Sequence, residues 1–504
     1  MVTPTWTRLY ARGFFLSSEP VAIFEELAHY RWYDLAGDVL FADEITEVGI
    51  AYKGDDWLVT IGKLLPLSTG AIDPRAATIA DDLLELFQRD GFTGTERALY
   101  DIGGRHAVLL KSKGRIIAYN DAAGHRTVYF NQAQQRIASH FDMLQLLTST
   151  PTSSCPFDSE RPATSPDGLW DVTGNPDIKA LLPNHRLHLH DGSQPRFGLM
   201  NPNPYKNVDW AEKVETIHQL WDEQLQQLFA MAPQHRLGIS LSGGLDSRTV
   251  LAHMRPYLDN VTAFTYTASN VKTGKTPTSF WQRTMVTDHN VLMQLADHLP
   301  KDFHVLVKPR TPNLTADDIA VMERNAMRNH GQPMVRMYKD IFPNVNSIHV
   351  RGNFVEMGRL IRGQLDIPGR KDRLAPVLSE VVRRRKPDVE AFAPFFWNKV
   401  DQFQYDLLHD DVEYTDTYHW ENRSSRWYAE IANETDMVFD SIVPVNARRI
   451  YEILLSPRRD VRPGAQLQVD LIHRAWPELL AYGFNDEKDR YTTTVRKQLL
   501  EQQA

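Results

Sequence analysis

Cysteine is almost absent from this sequence, since Cys155 is the single one among 504 residues. One cysteine excludes an intramolecular disulfide and a cysteine-rich metal site, which is typical of a protein from a reducing compartment. Apolar residues nowhere run uninterrupted for the roughly 18 positions of a transmembrane helix. The start, MVTPTWTRLYARGFF, has no hydrophobic segment that ends in a cleavage site. We therefore expect a cytoplasmic protein that has no membrane partner.

A basic excess is also missing. The chain has 56 Lys and Arg against 64 Asp and Glu, a formal net charge of -8 at pH 7. Because a surface that binds nucleic-acid phosphates normally shows as a basic excess or stripe, the composition argues against a nucleic-acid partner. Hydrophobic residues make up 42% and charged residues 24%, as in a globular protein, and 504 residues suit two or three domains.

Short strands and turns alternate in the first 150 residues. Residues 48–62 predict two strands around a turn at Gly54, and residues 105–120 predict a hairpin that turns at Gly114. Between them, TIADDLLELFQRDG has apolar residues at helical spacing, and Gly91 is placed to end that helix. This half of the chain therefore predicts antiparallel α+β layers.

A stretch rich in Pro and Gly, 192–207, predicts a domain boundary because it interrupts both helix and strand periodicity. We expect one domain over 1–200 and a second over 208–504.

The second domain begins with a helical pattern and continues with strand 237–241, helix 247–255 and strand 261–267. A strand–helix–strand order is typical of a parallel sheet. The remainder of the chain is mostly helical in pattern, so an α/β domain with many helices is predicted.

The turn between the first of these strands and its helix has the sequence SGGLDS. Such a turn directs several backbone N–H groups to one point, and the helix N-terminus adds partial positive charge, so the turn can hold a phosphate. Gly243 and Gly244 allow the backbone to approach the anion, while the hydroxyls of Ser242 and Ser247 can donate hydrogen bonds.

Asp246 would be misplaced as a phosphate ligand. A carboxylate beside phosphates is expected where Mg²⁺ lies between them, because Mg²⁺ takes one or two carboxylates plus substrate oxygens. The turn has no Gly-Lys-Ser/Thr ending, which argues against a Walker A loop.

This S-G-G-L-D-S turn resembles the pyrophosphate loop of the ATP pyrophosphatase superfamily. The resemblance implies that the turn binds the β- and γ-phosphates of ATP while a carboxylate attacks the α-phosphorus and gives an acyl-adenylate. A tRNA-modifying thiolase of this superfamily is disfavoured, because the chain has no catalytic cysteine pair.

Residues 98–131 resemble the glutaminase-type domain of asparagine synthetase, and 177–192 resemble its closing segment, with Pro183 and Asn184 where Pro-Gly is usual. The residues that match the first pattern are Gly104, Ala107, Asp121, Gly124, Arg126 and Tyr129, while Asn120 replaces an Arg. In that family an N-terminal Cys hydrolyses glutamine, whereas position 2 is Val here. The resemblance thus implies a degenerate Ntn-hydrolase-like domain without the thiolate that the reaction needs.

A second loop, RGNFVEMGR at 351–359, stands where the family has Ser-Gly-x-Gly-Ala-Asp-Glu. Gly352 matches, Glu356 stands in for the Asp that binds a second Mg²⁺, and the bulkier Phe354 and Val355 replace Gly and Ala.

Four more features belong to this comparison. Strand 263–267 matches the family's strand whose backbone binds adenine. Asp288 and His304 fall where the family has an acidic residue and a His. Segment 433–440 has Asp436 where the family has an Arg. Arg351, Arg359 and Arg362 flank the second loop, and either phosphate contacts or solvated helix charges explain them. The residues implied to bind ATP are Leu241, Ser242, Gly243, Gly244, Leu245, Asp246, Ser247, Phe264, Thr265 and Gly352.

The implied fold is a degenerate Ntn-hydrolase-like antiparallel domain followed by a PP-loop domain of the adenine nucleotide alpha hydrolase type. Retention of the ATP loop without glutaminase resembles β-lactam synthetases and lasso-peptide cyclases. It implies an amide-forming ligase that uses ATP and Mg²⁺, with Asp246 and Glu356 as metal ligands. Glu356 and Lys488 are its implied catalytic residues, Lys488 because a cation stabilises the developing negative charge.

The partners expected are a small-molecule or peptide carboxylate and ammonia or another amine, with a homodimer possible. The alternative is a catalytically silent scaffold that keeps the fold and binds nucleotide.

A separate pair, His188 and His190, is explained either by an exposed edge strand or by a metal site that would need a third ligand.

Overall fold

The computed structural model divides the chain into two compact units. Unit 1 consists of residues 1–203, 316–330 and 361–437, and unit 2 of residues 204–315, 331–360 and 438–504. The chain first leaves unit 1 within the segment 192–207, and residues after 208 contribute to both units. The residues described are 8–19, 21, 25–73, 78–148, 170–231, 236–308, 314–326, 332–343, 346–359, 374–375, 378, 389–458 and 461–485.

Unit 1 contains two antiparallel sheets. Its strands are β1 (Phe14–Ser17), β2 (Tyr30–Leu35), β3 (Asp38–Asp43), β4 (Val48–Lys53), β5 (Asp56–Pro66), β6 (Ile102–Ser112), β7 (Arg115–Asn120), β8 (Tyr129–Asn131), β9 (Arg136–Ala138), β10 (Lys179–Ala180) and β11 (Leu187–His188). One sheet has the order β10-β8-β9-β1-β3-β2 and the other β11-β7-β6-β5-β4. The predicted strand pair before and after Gly54 is confirmed as β4 and β5, and the predicted hairpin as β6 and β7.

The two sheets pack face to face, because Phe14 and Leu40 of one share a buried core with Val59 and Leu109 of the other. Helix Ile79–Tyr100 covers the outer face of the second sheet, and helix Phe141–Thr148 covers that of the first. Unit 1 therefore has four layers, helix, sheet, sheet and helix. The predicted antiparallel layers are confirmed in this general form.

The predicted helix end at Gly91 is confirmed. The helix that begins at Ile79 breaks at Gly91, which has non-helical φ 64° and ψ -150°, and a second helical stretch continues to Tyr100. Glycine adopts this positive φ without steric cost, so it joins two helical stretches at an angle. The other helices of unit 1 are Ala316–Asn325, Val389–Gln402, Tyr414–Tyr418 and Ser425–Thr435, with a π-helical turn at His419–Ser424.

Unit 2 is built on a parallel sheet of five strands. They are β12 (Leu237–Ser240), β13 (Val261–Ala268), β14 (Asp302–Lys308), β15 (Ile348–Val350) and β16 (Asp440–Ile442), in the order β14-β13-β12-β15-β16. All four strand pairs are parallel, as predicted. The helices are Trp210–Ala230, Leu245–His253, Asn270–Thr273, Phe280–Gln294, Gln332–Ile341, Arg448–Leu455 and Gln466–Ala475. Within the described residues, no helix is both long and apolar enough to cross a membrane.

The strand order reverses at β12. The chain first adds β13 and β14 on one side of β12, and then adds β15 and β16 on the other. In open parallel sheets, ligands bind beyond the carboxyl ends of the strands at such a reversal, where successive loops diverge. The loops that follow β12 and β15 lie at this point, and they are the two loops that the sequence singled out.

Candidate functional site

The first loop, which follows β12, is folded on its two serines. The Ser242 backbone N–H donates to Ser247 Oγ at 3.1 Å, and the two hydroxyl oxygens are 3.0 Å apart. The Gly244 N–H donates to Ser242 Oγ at 3.2 Å. Both serines therefore hold the turn in shape before helix Leu245–His253 begins.

A carboxylate from a neighbouring helix closes this loop. The Gly243 N–H donates to Asp288 Oδ1 at 2.9 Å, and Asn485 Nδ2 donates to the same oxygen at 2.9 Å. The Asn485 N–H in turn donates to the Gly243 carbonyl at 3.0 Å. Burial raises the pKa of the Asp288 carboxyl, and the hydrogen bonds from Gly243 and Asn485 lower it.

The second loop packs against the backbone of the first. A Cβ atom on Gly352 would lie 3.0 Å from the carbonyl carbon of Asp246 and 3.0 Å from both the nitrogen and Cα of Ser247. Phe354 follows with φ 68°, in the left-handed region, and its buried ring lies 5.7 Å from the ring of Tyr451. The 3₁₀ turn Val355–Gly358 then carries Glu356.

Two carboxylates and one guanidinium meet where these loops touch. Asp246 forms an ion pair through Oδ2 with Arg359, whereas its buried Oδ1 has no hydrogen-bond partner among the described residues. Burial raises the pKa of Asp246, and Arg359 lowers it. Burial, together with the charge of Asp246, raises the pKa of Glu356 to about 7. The two carboxylates thus repel each other, and a single guanidinium neutralises only part of their charge.

These residues fit a magnesium ion that is shared with phosphates. No cluster of three or more His, Cys, Asp or Glu is arranged to hold a metal ion within the described ranges. Mg²⁺ in nucleotide sites is commonly held by only one or two carboxylates, and phosphate oxygens complete its coordination. Asp246 Oδ1 is unpartnered, and burial with the charge of Asp246 raises the pKa of Glu356, so a shared cation would favour the charged form of both carboxylates.

The strand that was predicted to read adenine is β13. Its Phe264 carbonyl accepts a hydrogen bond from the Leu241 N–H at 2.8 Å, and β13 continues for four residues, 265–268, beyond its pairing with β12. Backbone groups alternate in direction along a strand, so the next ones on the β12 side belong to Tyr266. Tyr266 is 37% exposed, and the pKa of its hydroxyl, raised by burial, also responds to Arg351 and Asp288.

Sequence reasoning missed Tyr266 and Asn485. Tyr266 was within reach, because it lies in the strand already singled out, two residues after Phe264. Nothing in the sequence pointed to Asn485, since only the folded chain brings it to the first loop, 242 positions after Gly243.

His304 was predicted together with Asp288, but its Nε2 lies 2.7 Å from Asp302 Oδ1 near the start of β14. Lys488 and Arg362 lie outside the described residues.

The motif residues of unit 1 hold a turn. The Asp121 carboxylate accepts hydrogen bonds from the N–H groups of His125 at 2.9 Å and Arg126 at 2.7 Å. Arg126 Nη1 donates to the Arg12 carbonyl at 2.8 Å, and the Tyr129 hydroxyl donates to Glu430. Residues 1–7, including Val2, are outside the described residues.

His188 ends β11 and His190 lies in the turn that follows, so the two do not share one strand as predicted. Both line a cavity of about 420 Å³ in unit 1. Arg186 Nε donates to His188 Nε2 at 2.9 Å, so that nitrogen's lone pair is already engaged. His190 Nε2 lies 3.1 Å from Asp191 Oδ2. Each histidine therefore has a polar partner of its own, Arg186 for His188 and Asp191 for His190, which argues against a metal site.

A comparison of the sequence with protein-family models finds no match, and a search of curated proteins finds none either. The function is therefore inferred from the residues and geometry of the two loops.

Proposed function

We propose that this chain is an asparagine synthetase-like ligase that uses ATP to adenylate a carboxylate and then forms an amide with ammonia or another amine. One observation carries the proposal. The Ser/Gly turn after β12 lies at the reversal of strand order, and it brings Asp246, with its buried unpartnered oxygen, close to Glu356.

ATP phosphates would be bound by the N-terminus of helix Leu245–His253, which carries partial positive charge, and by the Gly243 N–H in place of Asp288. The N–H groups of Ser242 and Gly244 are engaged within the loop, by Ser247 Oγ and Ser242 Oγ. Asp246 and Glu356 would hold Mg²⁺, which neutralises phosphate charge. The backbone of Tyr266 is the candidate for recognition of the base, because β13 extends beyond β12 at this edge. The Phe264 carbonyl already accepts from the Leu241 N–H, and the backbone of Thr265 faces β14.

In the first step, a carboxylate oxygen of the substrate attacks the α-phosphorus; the new O–P bond forms as the bond to pyrophosphate breaks. In the second step, the amine nitrogen attacks the acyl carbon, AMP leaves, and the surplus proton of the amine passes to solvent. Lys488 is our proposed cation for the negative charge that develops in these steps.

Unit 1 has a structural role in this proposal. Its four-layer arrangement supports the resemblance to a degenerate Ntn-hydrolase-like domain. With Val2 in place of the nucleophilic Cys, the amine would come from solution and not from glutamine. The acyl substrate would be a small-molecule or peptide carboxylate, and the protein a cytoplasmic enzyme with no nucleic-acid partner.

The test is pyrophosphate release from Mg-ATP with a panel of carboxylates, with and without ammonium or other amines. Release that depends on one carboxylate in the wild type and is lost in Asp246→Asn supports the ligase. Asp302→Asn is the matched control, because Asp302 lies at the start of β14 in an exposed pair with Arg236. Pyrophosphate release that survives in Asp246→Asn would contradict the proposal.

A second candidate is a catalytically silent nucleotide-binding scaffold. It is favoured by the ion pair of Asp246 with Arg359, which engages the carboxylate that the metal needs, and by the bulky Phe354 and Val355 in the second loop. Pyrophosphate release separates the two candidates: a scaffold binds ATP in calorimetry but releases no pyrophosphate with any carboxylate.

A further inference from the structure

Two charged side chains of the chain itself contact the first loop where ligands would bind. The Arg359 guanidinium lies on Asp246, the carboxylate that would hold a cation. The Asp288 carboxylate lies on the Gly243 N–H, which would hold a phosphate. Each side chain therefore has the same sign of charge as the ligand that would occupy its place.

The contact between Arg359 and Asp246 is incomplete on both sides. Arg359 Nε is buried and has no hydrogen-bond partner in the described part of the chain, and the same is true of Asp246 Oδ1. A guanidinium and a carboxylate can form two parallel hydrogen bonds, but here a single nitrogen of Arg359 makes the contact. Arg359 Nε and Asp246 Oδ1 are expected to lack partners here if each residue contacts a ligand when one is bound.

Asp288 competes directly with an anion. Its Oδ1 accepts from Gly243 and is held there by Asn485 Nδ2. A phosphate that takes the Gly243 N–H must displace this carboxylate, because one N–H cannot serve both and their negative charges repel. Asn485 also donates its backbone N–H to the Gly243 carbonyl, so it fixes the carboxylate and the loop together.

We propose that Arg359 and Asp288 are internal substitutes for the cation and the phosphate, and that both change partners when nucleotide binds. Arg359 leaves Asp246 and binds a phosphate oxygen, while Asp288 leaves the Gly243 N–H. Arg359 is thereby a phosphate-binding residue, and Asp288 is a residue that weakens binding of anions. The identity of the ligand as a nucleotide rests on the proposed function, but the exchange is testable with simple ions.

The experiment uses the full chain and two probes: Mn²⁺ alone, followed by electron paramagnetic resonance, and inorganic pyrophosphate with chelator present, followed by calorimetry. The variants are Arg359→Gln and Asp288→Asn. Matched controls are Arg236→Gln and Asp302→Asn, because these two residues form an ion pair of 2.5 Å in the same sheet, outside both loops. Thermal unfolding verifies that each variant is folded, and Arg359→Lys provides a milder substitution.

The expected results have opposite signs. Arg359→Gln binds Mn²⁺ more tightly, by about three- to tenfold, because a competing cation is gone, and binds pyrophosphate more weakly by a similar factor. Asp288→Asn binds pyrophosphate about three- to tenfold more tightly and leaves the affinity for Mn²⁺ within about twofold. Arg359→Lys retains its charge, so its Mn²⁺ affinity stays nearer that of the wild type. Both controls bind as the wild type does.

A purely structural role of Arg359 would move both affinities in one direction, and that result would overturn its assignment. If the affinity for pyrophosphate is unchanged or lowered in Asp288→Asn, Asp288 does not compete with an anion for the Gly243 N–H. Wild type that binds neither probe overturns the exchange as a whole. If the opposite signs are found but no carboxylate elicits pyrophosphate release from ATP, the exchange stands and the ligase proposal fails.

Discussion

Gly352 lies against the backbone of Ser247, so closely that a Cβ atom at position 352 would be 3.0 Å from both the nitrogen and Cα of Ser247. The opposing atoms belong to the backbone, which cannot rotate away as a side chain can. This contact joins the loops after β12 and β15 and sets the position of Glu356 relative to Asp246. A side chain at 352 would therefore separate the two carboxylates.

The first prediction follows from this contact. Gly352→Ala should lower the free energy of unfolding by about 1–3 kcal/mol, because an added methyl group in a filled space forces backbone shifts. It should also weaken pyrophosphate binding, measured by calorimetry alongside urea unfolding. Gly274→Ala is the comparison, because Gly274 has φ 66° and a Cβ atom added there would meet no heavy atom within 4 Å. Gly274→Ala should lower the free energy of unfolding by about 1 kcal/mol and bind pyrophosphate as the wild type does. If both variants bind pyrophosphate equally well, separating the two loops does not impair binding and the prediction is wrong.

The second prediction concerns the backbone of Phe354. At φ 68°, a residue with a Cβ atom is strained, whereas glycine is not. Both Phe354→Gly and Phe354→Ala lose a buried ring, but the glycine variant should be more stable by about 1 kcal/mol. Phe264, in the extended strand β13, serves as control, and there alanine should be the more stable substitution. Urea unfolding of the four variants checks the order, and an identical order at both positions would refute the claim of strain.

The sequence located the first loop because its signal is local. A strand, a turn of small residues and a helix are contiguous in LGISLSGGLDSRTVLAHM, and the structure places β12 and helix Leu245–His253 on either side of that turn. The second loop was found through resemblance, at some 100 positions further on, and the parallel pairing of β12 with β15 explains why the two loops are neighbours.

Long-range partners were beyond sequence reasoning. The contact of Asn485 with Gly243 has no spacing pattern, because it depends on how the segment after helix Gln466–Ala475 returns to the sheet. The return of segments 316–330 and 361–437 to unit 1 was likewise not expected. Periodicity shows which face of an element is apolar, but not which distant segment covers that face.

The third prediction tests a buried ion pair of unit 1. Asp436 Oδ2 accepts from Arg105 Nη2 at 2.8 Å, and both side chains are fully buried. Asp436→Ala should cost about 3–5 kcal/mol, because it leaves a buried guanidinium without its carboxylate. The double variant Arg105→Met with Asp436→Leu should recover much of that loss, as chemical denaturation would show. No recovery would mean that other contacts matter more than the pair, among them those of Arg105 with Asn433 and the His125 carbonyl and the 3.9 Å ion pair of Asp436 with Arg126.

The last prediction is a pH dependence that is caused by Glu356. Its pKa is about 7 in the folded protein, against an ordinary value of 4.5. Between these two pH values, the folded protein holds a proton that the unfolded chain has released, so stability falls as pH rises from about 4.5 to about 7. A shift of this size corresponds to at most about 3 kcal/mol.

Glu356→Gln cannot titrate, so its stability relative to the wild type should rise steadily from pH 5 to pH 8 in urea unfolding measurements. A cation held by Asp246 and Glu356 favours the charged carboxylate, and Mg²⁺ should therefore stabilise the wild type more at pH 8 than at pH 5. The variant should show a smaller effect of Mg²⁺ at pH 8. If the difference between variant and wild type is the same at every pH, the pKa of Glu356 is not raised in the folded protein, and neither burial nor the charge of Asp246 acts on it as argued.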